Sequence, residues 1–525
     1  MKNTYTVKTK FWVFPVNSAL QRKDLGFYID GERVFELAIS LDPSNPNFLA
    51  NVNVERFSGK EITFEVFPDA DVSFTESDEP MFLSDDADIR QKLSFTASSG
   101  WTNDPNGLYK YGGEYHLFYQ HNPCDLTWDN MHWGHAKSRD LVRWEELDEF
   151  LYPDENGAAY SGCAFVDKNN ASGLKKGSDD PILIYYTAAP KKHAPSSLSY
   201  QKKWTQRILA STDGGKSFNV LPEFIDEICE ENRDPRVEYS PELGKYVLAL
   251  YISDERRDFA IFTSDDLKNW EELQRITLGE DRECPNLARF RVENSDEYKW
   301  VFYGANSVCS VYEIKDGLFR EVQAPKKPYY ATNAYAAQNF KDPDTNRRLR
   351  IDWVRSRLPF SLPRADANFS QLFGIPKEER LVKDADGYSL TVNPAKEILA
   401  LAREKVCIRD AKHGDRIDVL TPAFIMNYKA EYETDGVTEI YAGGRRLVID
   451  TGKNKISSRA EACPVKRGKT VDITVISDTL TLEIFADGGR FFTASITAFD
   501  KNAPYVMLCG EVPEGAQFSV AKLEI

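Results

Sequence analysis

The sequence has no C-x-x-C pair. Its eight cysteines, Cys124, Cys163, Cys229, Cys284, Cys309, Cys407, Cys463 and Cys509, are scattered over 525 residues, which excludes a zinc ribbon or a small disulfide-stapled scaffold and reads as buried free thiols. Long apolar runs are missing too: stretches such as Tyr246 to Ile252 fall far short of the roughly 18 residues of a membrane helix. The start, Met1-Lys2-Asn3-Thr4-Tyr5, has no basic region leading into a sustained apolar one, and Phe11 to Val16 is short and contains Pro15. No secretory leader is read, and the chain is expected in the cytoplasm. Positive charge is in deficit, 66 Lys plus Arg against 82 Asp plus Glu for a net charge of -16, which opposes a nucleic acid or an anionic membrane as partner. Helical periodicity of any length is absent.

What is abundant is aromatic: 31 Phe, 25 Tyr and 9 Trp. With so acidic a chain, that composition suits stacking on a neutral, hydroxyl-bearing ring such as a sugar. Apolar, aromatic-rich strands recur at Tyr115 to Gln120, Ile182 to Thr187, Tyr246 to Tyr251, Trp300 to Ala305 and Leu349 to Val354. A second repeat follows some of them: SRDLVRWEEL from Ser138 and SDDLKNWEEL from Ser264 agree at seven of ten positions, and STDGGKSF from Ser211 is a shorter version. Asp140, Asp213 and Asp266 in these turns are read as turn formers that accept backbone N–H groups while the aromatic packs between repeats. Five repeats, each with room for four strands, predict an all-β chain built on a five-bladed β-propeller. The expected domains are a small N-terminal β-domain over 1–85, the propeller over 86–385 and a C-terminal β-sandwich over 386–525. Alternation at Ile62, Phe64 and Val66 marks the first domain, an acidic stretch from Glu76 to Asp88 reads as a linker, and Leu480, Leu482 and Ile484 before Asp487-Gly488-Gly489 mark a hairpin of the third.

A polar segment precedes each recurrent strand: Trp101-Thr102-Asn103-Asp104-Pro105-Asn106-Gly107, then Tyr160-Ser161-Gly162-Cys163, Arg233-Asp234-Pro235, Glu283-Cys284-Pro285-Asn286 and Tyr335-Ala336-Ala337-Gln338. The first strand of a blade lines the channel, so these segments converge on one funnel that holds three carboxylates, Asp104, Asp234 and Glu283, each within two residues of a proline. The prolines bias Asp104, Asp234 and Cys284 toward extended backbone. Carboxylates about 5 to 5.5 Å apart cleave a glycosidic bond with retention, one as nucleophile and one as acid. His116, His121, His132 and His135 cluster in sequence but are read as packing and hydrogen-bonding groups rather than metal ligands.

WTNDPNG, RDP and ECP in this order, with Gln120, Trp128 and the Ser161-Gly162 pair, resemble glycoside hydrolase family 32, the retaining β-fructosidases. The resemblance spans about residues 91 to 525; residues 1–85 resemble a small β-domain that precedes the module in some bacterial fructan-degrading enzymes. It implies that Asp104 is the nucleophile, Glu283 the general acid and base, and Asp234 the transition-state stabiliser. It further implies sugar contacts at Asn103, Gln120, Ser161, Arg233 and Asp281, with apolar walls from Trp101, Trp128, Tyr335 and Trp353. The substrate would be a fructose-containing oligo- or polysaccharide, and the chemistry needs no cofactor and no metal. A fructosyltransferase, an endo-levanase, a non-catalytic carbohydrate-binding propeller and another five-bladed glycosidase, such as an inverting arabinan-cleaving enzyme, are the alternatives. Thr102, Cys163 and Asn333 depart from the family's usual residues and are expected to border the sugar pocket.

Overall fold

The computed structural model describes residues 4–356 and 367–525; Met1 to Asn3, read above for a leader, lie outside the described residues. Between Gly100 and Pro394 the strands form five consecutive sheets, each built on four antiparallel strands in chain order. Their first strands are Gly100–Tyr111, Ala158–Val166, Arg233–Ser240, Asn286–Arg291 and Ala334–Lys341. These touch in a closed ring, first to second and so on, with the fifth back against the first. This is the predicted propeller, and its blades are numbered I to V here. The recurrent apolar strands are the second strands of each blade, buried on both faces, as in Ile182–Ala189 where every residue is buried. That burial explains why they read as continuous apolar runs rather than alternating ones.

The chain closes the ring after blade V's second strand. Phe369–Ser370 pairs with Gly100–Trp101 of blade I, and Leu372–Phe373 pairs with Trp353 and Val354 of blade V. Blade V then takes its outer strands from Lys377–Asp384 and Gly387–Pro394. The propeller therefore extends to Pro394 rather than ending at 385. The repeated turns do what their residues dictate. Asp140 Oδ1 accepts the N–H groups of Val142 and Arg143, Asp213 those of Lys216 and Ser217, and Asp266 those of Lys268 and Asn269. Trp270 packs edge-on against Tyr185 of the preceding blade, and Phe218 against Phe150 likewise.

Two sheets before the propeller enclose Trp12, Phe14, Phe27, Phe35, Leu37 and Phe64. That core also takes in Cys124 and Leu126 of blade I, so the leading domain shares its apolar centre with the propeller. The acidic segment expected to be a linker is pinned: Asp86 is buried and its Oδ2 accepts the Asn368 N–H at 2.8 Å, while Asn51 bonds both sides of Met81. After Pro394, sheets of seven and six strands form the sandwich. Their facing sides enclose Tyr428, Ile440, Leu447, Ile473 and Phe518, and the outer side of the larger sheet packs Phe485, Phe492 and Ala494 against Val354, Phe369 and Leu372 of the propeller.

A buried ion cluster crosses that joint. Lys377 Nζ lies 2.8 Å from Asp352 and 2.6 Å from Glu483 of the sandwich, and Arg350 spans Asp352 and Glu379; the side chains of the two cations are fully buried. Removing one member of such a cluster strands the others' charge in low dielectric. Lys377→Met is expected to cost about 3–5 kcal/mol, measured as a lower denaturant midpoint with the secondary structure retained below it.

Candidate active site

The inner strands of blades I, II, III and V each slip register where they approach the axis, between Thr102 and Pro105, Tyr160 and Gly162, Arg233 and Arg236, and Tyr335 and Gln338. A bulge re-aims the side chain beside it, and here that turns Asp104, Ser161, Asp234 and Tyr335 into one cavity. Asp234 has φ 65°, Glu283 39° and Cys284 46°. The expected proline bias toward extended backbone is thus overridden at Asp234 and Cys284, and two of the three carboxylates, Asp234 and Glu283, are held in left-handed backbone. Gly162 is obligatory, because a Cβ there would sit 1.8 Å from the carbonyl oxygen of Tyr185.

The cavity has a volume of about 380 Å³, in the range of small-molecule sites. Of the residues singled out from sequence, Asn103, Asp104, Gln120, Trp128, Ser161, Arg233, Asp234, Glu283, Tyr335 and Trp353 line it. Tyr160, Trp204 and Glu231 complete the lining. Tyr160 already stood in the polar segment with Ser161 and Gly162, and Glu231 lies two residues before Arg233, whereas nothing around Trp204 marked it.

Two expected contacts stand back from the cavity. Asp281 is wholly buried, and its carboxylate accepts the N–H groups of Gly304, Asn306 and Val308 at 2.8–3.0 Å. It fixes the loop against which the backbone of Glu283 is bonded, through Ala305, so it positions the carboxylate instead of touching a ligand. Trp101 donates its Nε1–H to Asn103 Oδ1 at 3.0 Å and meets Trp353 edge-on, supporting two lining residues from behind. Thr102, Cys163 and Asn333 are also buried behind the lining. Their departures from the family pattern therefore act on packing, not on the pocket surface.

The carboxylates are tightly linked. Ser161 Oγ donates to Asp104 Oδ2 at 2.7 Å. Cys284 Sγ lies between Asp104 Oδ2 at 3.5 Å and Asp234 Oδ2 at 3.6 Å, and the Cys284 N–H donates to Asp234 Oδ2 at 2.9 Å. Arg233 Nη2 donates to Glu283 Oε2 at 3.0 Å, and the Tyr335 hydroxyl donates to Glu283 Oε1. Arg233 is the only Lys or Arg side chain among the lining residues. Burial raises Asp104 above the usual carboxylate range, with the Ser161 hydroxyl working against it. Asp234 is pushed up to about 7, chiefly by burial, with Arg233 opposing and Glu283 and Asp104 reinforcing.

Beneath the carboxylates the axis is shut by amides. Gln338 Nε2 donates to the Gly162 carbonyl at 2.7 Å, and Asn286 Nδ2 to that of Ala337 at 2.6 Å. The void left there is about 10 Å³, too small for more than about one water. The four histidines are spoken for: His116 and His135 bond each other at 3.0 Å, His121 sits between Glu149 and the Ser99 carbonyl, and His132 bonds the Asn130 carbonyl. Among the described residues no group of His, Cys, Asp and Glu is arranged to hold a metal ion.

The family model described as the glycosyl hydrolases family 32 N-terminal domain matches residues 94–394. A levanase of Bacillus subtilis is 33% identical over 474 residues, covering 80% of this chain and 68% of its own. An invertase of Schizosaccharomyces pombe is 39% identical over 230 residues, covering 41% of this chain and 38% of its own. Among solved structures, an exo-inulinase from Aspergillus awamori superposes with a TM-score of 0.70 at 20% identity, over 83% of this chain and 98% of its own. A fructofuranosidase from Schwanniomyces occidentalis complexed with fructosylnystose gives 0.70 at 21%, over 85% and 100%.

The raised Asp234 sets a sign for stability. An unfolded aspartate titrates near 4, so between that pH and about 7 the folded chain holds a proton that the unfolded chain has released. The stabilisation is complete below about pH 4 and is lost as pH rises through 7. Asp234→Asn, which cannot ionise, is expected to raise Tm by several degrees at pH 8 and to change it little at pH 4, measured by calorimetry.

Proposed function

From a chain that belongs to glycoside hydrolase family 32, we propose an exo-acting, retaining β-fructosidase that releases terminal β-D-fructofuranosyl units from sucrose, fructo-oligosaccharides or fructans. The observation that carries the reading is the pocket itself: three carboxylates with one guanidinium at the end of a channel closed beneath them. A blind pocket of this volume admits the end of a sugar chain and not its middle, which favours removal of one unit at a time over internal cleavage.

Asp104 attacks the anomeric C2 of the fructosyl unit as the bond from C2 to the leaving oxygen breaks, and Glu283 gives its proton to that oxygen. The product is a fructosyl ester on Asp104 and a free alcohol, glucose when the substrate is sucrose. Glu283, now a carboxylate, takes a proton from water, whose oxygen attacks C2 from the opposite side and expels Asp104. Two inversions leave the configuration of C2 unchanged. Arg233 and the Tyr335 hydroxyl face the two oxygens of Glu283 and hold the negative charge it acquires when its proton departs. Ser161 and Cys284 support Asp104 as the leaving carboxylate. Asp234, wedged against Cys284, faces the positive charge that develops on the ring and its hydroxyls. Trp353 is fixed by donating Nε1–H to Gln371 at 3.1 Å, and it presents an apolar wall beside Tyr335.

Asp104→Asn and Glu283→Gln are each expected to keep the fold and to lose turnover of sucrose by at least about 10²- to 10⁴-fold. Circular dichroism and initial rates of fructose release check this, and an undiminished rate in Asp104→Asn contradicts the mechanism. Chromatography of products from sucrose, inulin and levan is expected to show fructose as the first product of all three, with fructose equal to glucose from sucrose. Oligosaccharides as first products would mean internal cleavage, and fructose falling short of glucose would mean transfer to a sugar acceptor.

A further inference from the structure

A second cavity of about 200 Å³ lies against the catalytic pocket. The two share Trp128, Tyr160 and Trp204. Those rings stand in a row, Trp128 to Tyr160 at 5.9 Å and Tyr160 to Trp204 at 5.4 Å, each pair edge to face. One row of aromatics therefore serves both cavities. The rest of the second lining mixes apolar and hydrogen-bonding groups, among them Asp154, Lys191 and Glu36. Aromatic faces with carboxylates and an amine around a small volume match a neutral polyol better than an ion or a lipid.

The leading β-domain builds this wall. Arg22 reaches across to the loop that carries Trp128, with Nε on Asp125 at 3.1 Å, Nη1 on the Trp128 carbonyl at 3.0 Å and on Asp129 at 2.8 Å, and Nη2 on Thr127. Asn130 exchanges two hydrogen bonds with the backbone of Ala38, at 2.7 and 2.8 Å. On the far side, Glu36 accepts from Ser197 Oγ and from the Leu198 N–H, both at 2.7 Å, and so holds the loop that leads to Trp204. Cys124 and Leu126 are sunk in the leading domain's own core. Both loops that flank the cavity are thus held rigid by a domain outside the matched catalytic module, and pre-organised walls are what a binding site requires.

We propose that this second cavity is an outer sugar-binding subsite, completed by the N-terminal β-domain, which takes a hexose unit of an oligosaccharide whose terminal fructosyl unit occupies the catalytic pocket. The proposal rests on the fructosidase reading and adds to it a preference for chains longer than sucrose. Trp128, 48% exposed at the rim, is the surface over which such a chain passes from one cavity to the other.

The test is the dependence of kcat/KM on chain length, from sucrose to the pentasaccharide of a fructo-oligosaccharide series, for the unaltered protein and for two variants. Ala158→Phe fills the second cavity, and Asp154→Ala removes one of its polar groups. The unaltered protein is expected to gain in kcat/KM with length. Each variant is expected to lose about 5- to 10-fold on the tetra- and pentasaccharide through KM, with sucrose kinetics within about 2-fold of the parent. Calorimetric titration of the same series into Asp104→Asn, with and without Ala158→Phe, reads the site without turnover and is expected to show the length-dependent gain only when the cavity is open. A flat dependence on length in a protein that cleaves sucrose overturns the subsite, as does equal loss on sucrose and pentasaccharide in both variants. Failure to bind or cleave any β-fructoside would instead overturn the fructosidase reading.

Discussion

Negative charge forced together away from water is the constraint on which the rest of this molecule depends. Asp104, Asp234 and Glu283 line one cavity with a single guanidinium among them, and burial holds Asp104 and Asp234 above the ordinary aspartate value. Left alone, such a cluster would open the structure to let water in. The structure resists with neutral donors aimed at each carboxylate: Ser161 at Asp104, the Cys284 backbone at Asp234, Tyr335 at Glu283. Arg233 contributes the one cation of the lining, with Nη2 3.0 Å from Glu283 Oε2 and Nε 3.9 Å from Asp234 Oδ2. The burial of Asp234 is destabilising to the fold at neutral pH, and the same crowding sets three carboxylates and one guanidinium around a single cavity, the arrangement on which the proposed chemistry draws.

The architecture follows from holding that cluster in place. Five twisted sheets packed around an axis bring five first strands together, but regular strands would alternate their side chains between neighbouring blades. Register slips in four of them, and left-handed backbone at Asp234, Glu283 and Cys284, turn the needed groups inward. Strain of this kind persists only where the surroundings over-determine it. The closing pairs from Phe369 to Phe373, the buried Asp281 under the Glu283 loop and the Lys377 node to the sandwich provide that frame.

Much of this was legible in the sequence, for identifiable reasons. Blade count came from strands buried on both faces, which must be continuously apolar, and from a turn whose Asp and Trp repeat because the same hairpin geometry repeats. The carboxylates were visible because each sits in a short polar motif ahead of such a strand. What escaped was whatever depends on contacts distant in sequence. Trp204 immediately precedes an ordinary-looking third strand, Thr205–Ser211, and reaches the pocket only through the packing of blade II. Asp281 lies two residues from Glu283, yet its carboxylate turns away to satisfy three backbone donors. The boundary expected at 386 fell inside a hairpin, because Gly387–Pro394 alternates like a sandwich strand but pairs with Lys377–Asp384 of blade V. The residues from Glu76 to Asp88, acidic enough to read as a loose linker, are fastened by Asp86 and Asn51.

The central claim is that Asp104, among three carboxylates in one cavity, forms the bond to the sugar. Glu283→Gln supplied with a β-fructoside whose leaving group needs no protonation should form the ester and then stall for want of a base. Mass spectrometry of the digested protein is expected to find one fructosyl unit on the peptide that contains Asp104, and none when Asp104 is also replaced by Asn. An adduct on the peptide containing Asp234, or no adduct while the first-formed fructose has inverted configuration, would contradict the account.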